Sequence, residues 1–369
     1  MGAMGRAVSP HDLMIIGIPK EIKIFENRVG MTPQGVGKMV QAGVKVLVEK
    51  GAGIGSGFLD KDYRAAGAKI ISSKKEVYRQ SDLIVKVKEP QPSEYAFFRS
   101  GLVIFAFFHL AAEPKLLKEL IKKKVTAIAF ETIEVEGRLP LLAPMSQIAG
   151  SLAALVGANY LRKDLRGKGI LLNAIGKGPA GRVLVLGAGN VGIKALQVAH
   201  GLGGQVAVFD RNEHKLAMLK VEYSERLETY TDMSLLSGLV AESDLVVGGV
   251  LVPGQKAPHL VTRQMVSQMS PGSVIIDVAV DQGGCVETIH PTTLKNPIYE
   301  KYGVIHYGVT NMPALAPRTA TMALAEETLP YAISIAQKGI PAVLKDPVLH
   351  RGVNTHQGEI VHPAICNKP

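Results

Sequence analysis

Val183-Leu184-Val185-Leu186-Gly187-Ala188-Gly189-Asn190-Val191-Gly192, followed by Gln205-Val206-Ala207-Val208-Phe209-Asp210, reads as strand, glycine turn, helix, strand and terminal acid. Gly187 allows a tight turn off the strand, Gly189 lets backbone approach a pyrophosphate, and Gly192 lets the next helix pack closely on the sheet. Ala188, Asn190 and Val191 belong to the same turn, whose helix start offers unpaired N–H groups and a positive dipole end to phosphate. Asp210 stands about 20 residues past the glycines, where a carboxylate accepts from ribose hydroxyls. It would repel a 2′-phosphate, so the pattern predicts an NAD site rather than an NADP site.

A second glycine run is a decoy. Lys45-Val46-Leu47-Val48-Glu49 leads into Gly51-Ala52-Gly53-Ile54-Gly55-Ser56-Gly57, but these glycines alternate without the two-residue gap before the third, and no second apolar strand follows at the required distance. The run reads as a permissive loop.

With 369 residues, 47% of them apolar, the chain can bury a large core and divide into two domains. Two cysteines, Cys285 and Cys366, form neither a disulfide framework nor a metal-site spacing, so no metal is expected and a reducing compartment, the cytoplasm, is the natural reading. The longest apolar runs, 101–112 and 151–161, fall short of the approximately 20 residues of a membrane helix. The net charge of +10 is dispersed rather than gathered into an aromatic-interleaved patch, which argues against nucleic acid and suits the collection of small anions. Residues 1–13 lack an apolar signal core and are set aside as a leader.

Apolar β-type runs at 15–18, 44–49, 83–87, 103–107 and 126–130 alternate with helical patterns, the order of a parallel α/β sheet. A second set at 183–186, 206–209, 245–247, 274–277 and 305–307 makes a Rossmann sheet. The expected fold is α/β: two Rossmann-like domains with a cleft between them, the NAD-binding one (141–317) inserted in a discontinuous substrate domain (14–140 with 318–369). That cleft is the default place for chemistry.

Four polar residues follow strands at the edge where parallel sheets bind ligands: Arg28, Lys88, His109 and Asp281. Arg28 and Lys88 together could hold a carboxylate, the first as a fork and the second as a point charge. His109 can exchange a proton near neutrality, and Asp281 could orient that imidazole or a water. Each has a plainer reading: surface ion pairs of Arg28 with Glu26 and of Lys88 with Glu89, a structural histidine, and an aspartate capping the Gly283-Gly284 turn.

These residues fall in ordered blocks: Gly17-Ile18-Pro19-Lys20-Glu21, Glu26-Asn27-Arg28-Val29, Lys86-Val87-Lys88-Glu89-Pro90, Phe108-His109-Leu110-Ala111, Leu142-Ala143-Pro144-Met145-Ser146, Val250-Leu251-Val252-Pro253-Gly254, Asp281-Gln282-Gly283-Gly284-Cys285 and Asn311-Met312-Pro313. With the glycine motif they make the chain resemble the alanine dehydrogenases, to which the NAD-binding subunit of proton-translocating transhydrogenase is related. The resemblance implies reversible oxidative deamination of L-alanine to pyruvate and ammonia by a homohexamer. It implies that Arg28 and Lys88 bind substrate, that His109 is the acid/base, and that Asp281 is the second catalytic group. Ser146, Asp210, Lys215, Thr231, Leu251, Asn311 and Met312 would line the cofactor cleft. Alternatives are a transhydrogenase-type subunit, a non-catalytic NAD sensor, and an enzyme acting on glycine or glyoxylate. The chain departs from its relatives at 29–33, 223–230 and 323–328 and in the tail after His356.

Overall fold

A computed structural model describes residues 13–223, 227–250 and 257–366. Leu251 lies outside them, as do residues 224–226 of the divergent 223–230 stretch. The strands in chain order are β1 (Ile16–Ile18), β2 (Val46–Glu49), β3 (Lys69–Ile71), β4 (Leu83–Val85), β5 (Val103–Ala106), β6 (Thr126–Ala129), β7 (Arg182–Leu186), β8 (Gln205–Phe209), β9 (Leu227–Tyr230), β10 (Leu245–Gly248), β11 (Val274–Asp277), β12 (Ile298–Lys301), β13 (Val304–Tyr307), β14 (Val353–His356) and β15 (Glu359–Ile360). The chain is α/β and divides into two compact units, Met1–Met145 with Ala314–Pro369, and Ser146–Pro313, the second inserted within the first.

The first unit holds an eight-stranded sheet of order β15-β14-β6-β5-β4-β1-β2-β3. Strands β1 to β6 pair in parallel, while β14 pairs antiparallel with β6 and β15 antiparallel with β14. Their short runs are apolar without alternation, as in Val-Ile-Phe-Ala of β5, because both faces are covered. The chain goes one way from β1 to β2 and the other way to β4, so the order reverses between β1 and β4. A crevice for ligand opens at the carboxyl ends of strands that flank such a reversal.

The second unit repeats this plan in the order β12-β13-β11-β10-β7-β8-β9, parallel except for β12, with its reversal between β7 and β10. Its core packs Val183, Val185, Leu196, Val208, Val247, Ile276 and Met312 together. Among the described residues, no helix is long and apolar enough to cross a membrane.

Candidate active site

In the second unit the glycine turn follows β7, at the reversal. Gly187 has φ +96°, a left-handed conformation that a side chain would strain. A Cβ at Gly192 would lie 1.7 Å from Gly187 O, so the helix Asn190–Gly201 reaches its place only because residue 192 has no side chain. A Cβ at Gly189 would meet no neighbour within 4 Å; that face is open where a diphosphate would approach. Asp210 turns back to this loop, accepting the N–H of Ala188 at 2.6 Å and that of Asn212 at 2.8 Å. The residues present therefore fit a dinucleotide: a bare backbone cradle, a helix start and an acceptor at the ribose position.

The other expected cofactor residues are more scattered. Lys215 is exposed near the start of the helix Glu213–Tyr223, where Asn212 Oδ1 accepts its backbone N–H at 3.0 Å. Thr231 is exposed just past β9, and Ser146 and Asn311 are half-buried. Met312, only 2% exposed, packs its side chain into the unit's core, which leaves its backbone as the part able to meet a ligand.

In the first unit Arg28 is 2% exposed. Its Nε and Nη2 donate to Glu26 at 2.7 and 2.6 Å, and its Nη1 faces Met145 Sδ at 3.1 Å. The Arg28–Glu26 ion pair anticipated as a surface feature is thus real but buried, where a misplaced partner is costly. Glu89 bonds directly to Lys23, while the anticipated partner Lys88 acts on it through charge. Burial depresses the Lys88 ammonium below the ordinary lysine range, and the Arg28 and Lys23 cations push the same way against Glu89 and Glu26. That Arg28 acts on Lys88 places the two cations in one field.

The backbone carrying Lys88 is clamped by groups that strand patterning did not single out. Glu21 accepts the Val87 N–H at 2.6 Å and pairs with buried Lys86 at 3.0 Å, while Lys86 Nζ donates to the carbonyl of Lys88 at 3.0 Å. Desolvation works against the Lys86 charge, but Glu21 and Glu94 outweigh it and hold the ammonium protonated. In the strand pattern the signal was Lys86, a charge at the end of an apolar run, while Glu21 closes one of the ordered blocks.

His109 sits three residues past β5, next to β4. The loops after these strands are joined by the Phe107 N–H donating to Val87 O at 3.0 Å. Its φ of +50° is rare for a side-chain-bearing residue and is held by Glu131, whose carboxylate accepts the N–H groups of His109 at 2.7 Å and of Phe108 at 3.2 Å. The imidazole stacks on Phe107 with ring centroids 5.9 Å apart. Glu131 had no sequence signal, lying just past an apolar strand with no motif around it.

Asp281 is exposed in the turn after β11, in the second unit. The turn hangs from Asp277, which accepts the N–H groups of Ala279 at 2.9 Å, Cys285 at 2.7 Å and Val286 at 3.1 Å. Burial pushes the Asp277 carboxyl up to about 6, against those hydrogen bonds, which lower it.

The model of the alanine dehydrogenase/PNT N-terminal domain matches residues 17–149, and that of the C-terminal domain matches residues 153–363. The chain belongs to the alanine dehydrogenase/PNT family. Within this family it is 49% identical to an alanine dehydrogenase of Bacillus subtilis, over 96% of this chain and 94% of the relative. It is 48% identical to one of Methanococcus maripaludis, over 96% of each. A solved L-alanine dehydrogenase superposes with a TM-score of 0.93 at 47% identity, covering 95% of this chain and 98% of the other. A transhydrogenase from Sinorhizobium meliloti is a more distant member, with a TM-score of 0.82 at 27% identity over 94% and 100%. Arg28, Lys88 and His109 fall in the family's N-terminal domain; the glycine turn, Asp210 and Asp281 fall in its C-terminal domain.

Proposed function

We propose that this protein is an NAD-dependent alanine dehydrogenase that interconverts L-alanine with pyruvate and ammonia. The observation that carries the reading is the edge of the first unit's sheet, where Arg28 and Lys88, two cations in one field, follow β1 and β4 and His109 follows β5. A transhydrogenase-type subunit, which acts on no amino acid, has no use for this set.

Gly187 to Gly192 and Asp210, with Ser146, Lys215, Thr231, Leu251, Asn311 and Met312, would hold NAD, which would supply the hydride acceptor. The chain's own residues do the rest. Arg28 and Lys88 fix the substrate carboxylate; because Glu26 occupies the Nε edge of Arg28, the carboxylate meets its Nη1 side. Holding the substrate in one orientation supplies much of the rate. His109 takes a proton from the water that adds to the iminium carbon, returns it to nitrogen, and takes the hydroxyl proton as the carbinolamine collapses to the ketone and ammonia leaves. Asp281 is assigned the second catalytic role. The same reading makes the protein a cytoplasmic homohexamer, for which sedimentation should give six times 39.4 kDa.

The test is NADH appearance at 340 nm with L-alanine, glycine and L-serine. His109→Ala should lower turnover by roughly 10² to 10⁴ while leaving NADH binding unchanged. Full activity in that variant would refute the acid/base assignment, and a preference for glycine would move the substrate to the glycine/glyoxylate pair.

A further inference from the structure

The glycine-rich run 51–57 ends its 3₁₀ turn Ile54–Ser56 against the segment that carries Arg28. A Cβ at Gly55 would lie 2.8 Å from Asn27 O, so the loop touches this segment because residue 55 is glycine. Ser56 is buried, with its Oγ 2.9 Å from Asn27 O, 3.2 Å from Pro317 O and 2.8 Å from Thr321 Oγ1. Thr321, fully buried on the helix Pro317–Lys338, accepts the backbone N–H of Val29 at 3.2 Å. Each hydroxyl has one proton to give. One arrangement joins the two residues that bracket Arg28: the Val29 N–H donates to Thr321, Thr321 to Ser56, and Ser56 to Asn27 O. Arg28 thus sits in a loop closed by two buried hydroxyls, in surroundings where such chains reinforce one another. Arg318 braces the Ser56 side, its Nη1 donating to Ser56 O at 3.2 Å and Gly57 O at 3.1 Å.

We propose that Ser56 and Thr321 are positioning residues for Arg28, fixing the backbone on both sides of it so that its guanidinium is set for the substrate carboxylate. This rests on the reading of Arg28 as the carboxylate anchor.

The experiment measures KM for L-alanine, KM for NAD, kcat and NADH affinity in Thr321→Val, Ser56→Ala, Thr321→Ser and Arg28→Lys. Thr321→Val strands the Val29 N–H, and the loss of one buried partner should raise the alanine KM roughly tenfold, with kcat and both cofactor constants within about twofold. Thr321→Ser, which keeps the hydroxyl, should restore the alanine KM. An unchanged alanine KM in both Thr321→Val and Ser56→Ala, while Arg28→Lys raises it, overturns the positioning role alone. So does an equal rise in the NAD and alanine KM values without rescue by Thr321→Ser, since that marks general loosening. If Thr321→Val does not fold, Ser56→Ala decides by the same criterion. An unchanged alanine KM in Arg28→Lys overturns the anchor reading and the positioning role together.

Discussion

Glu26 grips Arg28 through both Nε and Nη2, at 2.7 and 2.6 Å, with neither side chain more than 2% exposed. A buried fork of this kind sets the direction of the guanidinium, since the plane of the carboxylate fixes the plane of its partner. It also leaves an uncompensated charge in the core if one member goes. Glu26→Gln should destabilise the protein by about 3 to 5 kcal/mol and raise the alanine KM. Urea unfolding checks the first; a midpoint unchanged from the parent would show that the pair carries no such load.

Two glycines three residues apart make opposite predictions. Gly192→Ala must push its methyl against Gly187 O, 1.7 Å from the ideal position, so the helix Asn190–Gly201 has to move off β7. Gly189→Ala meets nothing protein-side within 4 Å. Calorimetry should show a marked fall in Tm for the first and almost none for the second. On the proposed cradle, titration with NAD should show weakened binding for both, because the Gly189 methyl would stand on the open face assigned to phosphate. Wild-type NAD affinity in Gly189→Ala would remove the cradle from this loop.

Much of this is legible in the amino-acid sequence. Both sheets were visible as unalternating apolar runs, and the glycine spacing marked the tight turn after β7. What stayed hidden shares a cause. β3, β9, β12, β14 and β15 lie at or next to sheet edges, where one neighbour or one face suffices and residues such as Lys69, Glu228 and Glu300 interrupt the apolar pattern. Glu21, Glu131 and Asp277 act by accepting backbone N–H groups from distant or irregular segments. Such contacts depend on how loops fold back, which residue type and spacing do not encode. Pairing with Glu26 and binding a carboxylate are compatible roles for Arg28, because Glu26 takes its Nε and Nη2 while Nη1 faces the other way, toward Met145.

If Lys88 holds the substrate carboxylate as proposed, it sets a pH limit on substrate binding. Its folded-state pKa is lowered by burial, with Arg28 and Lys23 adding to the effect, so the ammonium loses its proton at a pH below that of an ordinary lysine. The affinity for alanine should therefore weaken on the alkaline side with an apparent pKa under 10.5. Lys88→Arg should abolish that limb, because a guanidinium stays charged throughout the range. A profile of kcat/KM against pH that is identical in the two proteins would separate Lys88 from substrate binding.

Asp277 ties stability to pH in the unusual direction. Its carboxyl titrates at about 6 in the folded protein and near 3.8 when the chain is unfolded, so between these values the folded state holds a proton that the unfolded state has released. Stability from this group is present in acid and is lost as pH rises through 6, the reverse of a salt-bridged aspartate. A shift of about two units corresponds to roughly 3 kcal/mol. Asp277→Asn should be less stable at all pH values, since an amide cannot accept all three N–H groups of Ala279, Cys285 and Val286. Its deficit relative to the parent should shrink as pH rises from 4 to 7. Urea unfolding of both proteins at pH 4.5 and 7.5 measures the difference, and a deficit that stays constant would mean that Asp277 is ionised throughout. Because the turn bearing Asp281 hangs from these bonds, the variant should also lose turnover at neutral pH while the substrate-side KM holds.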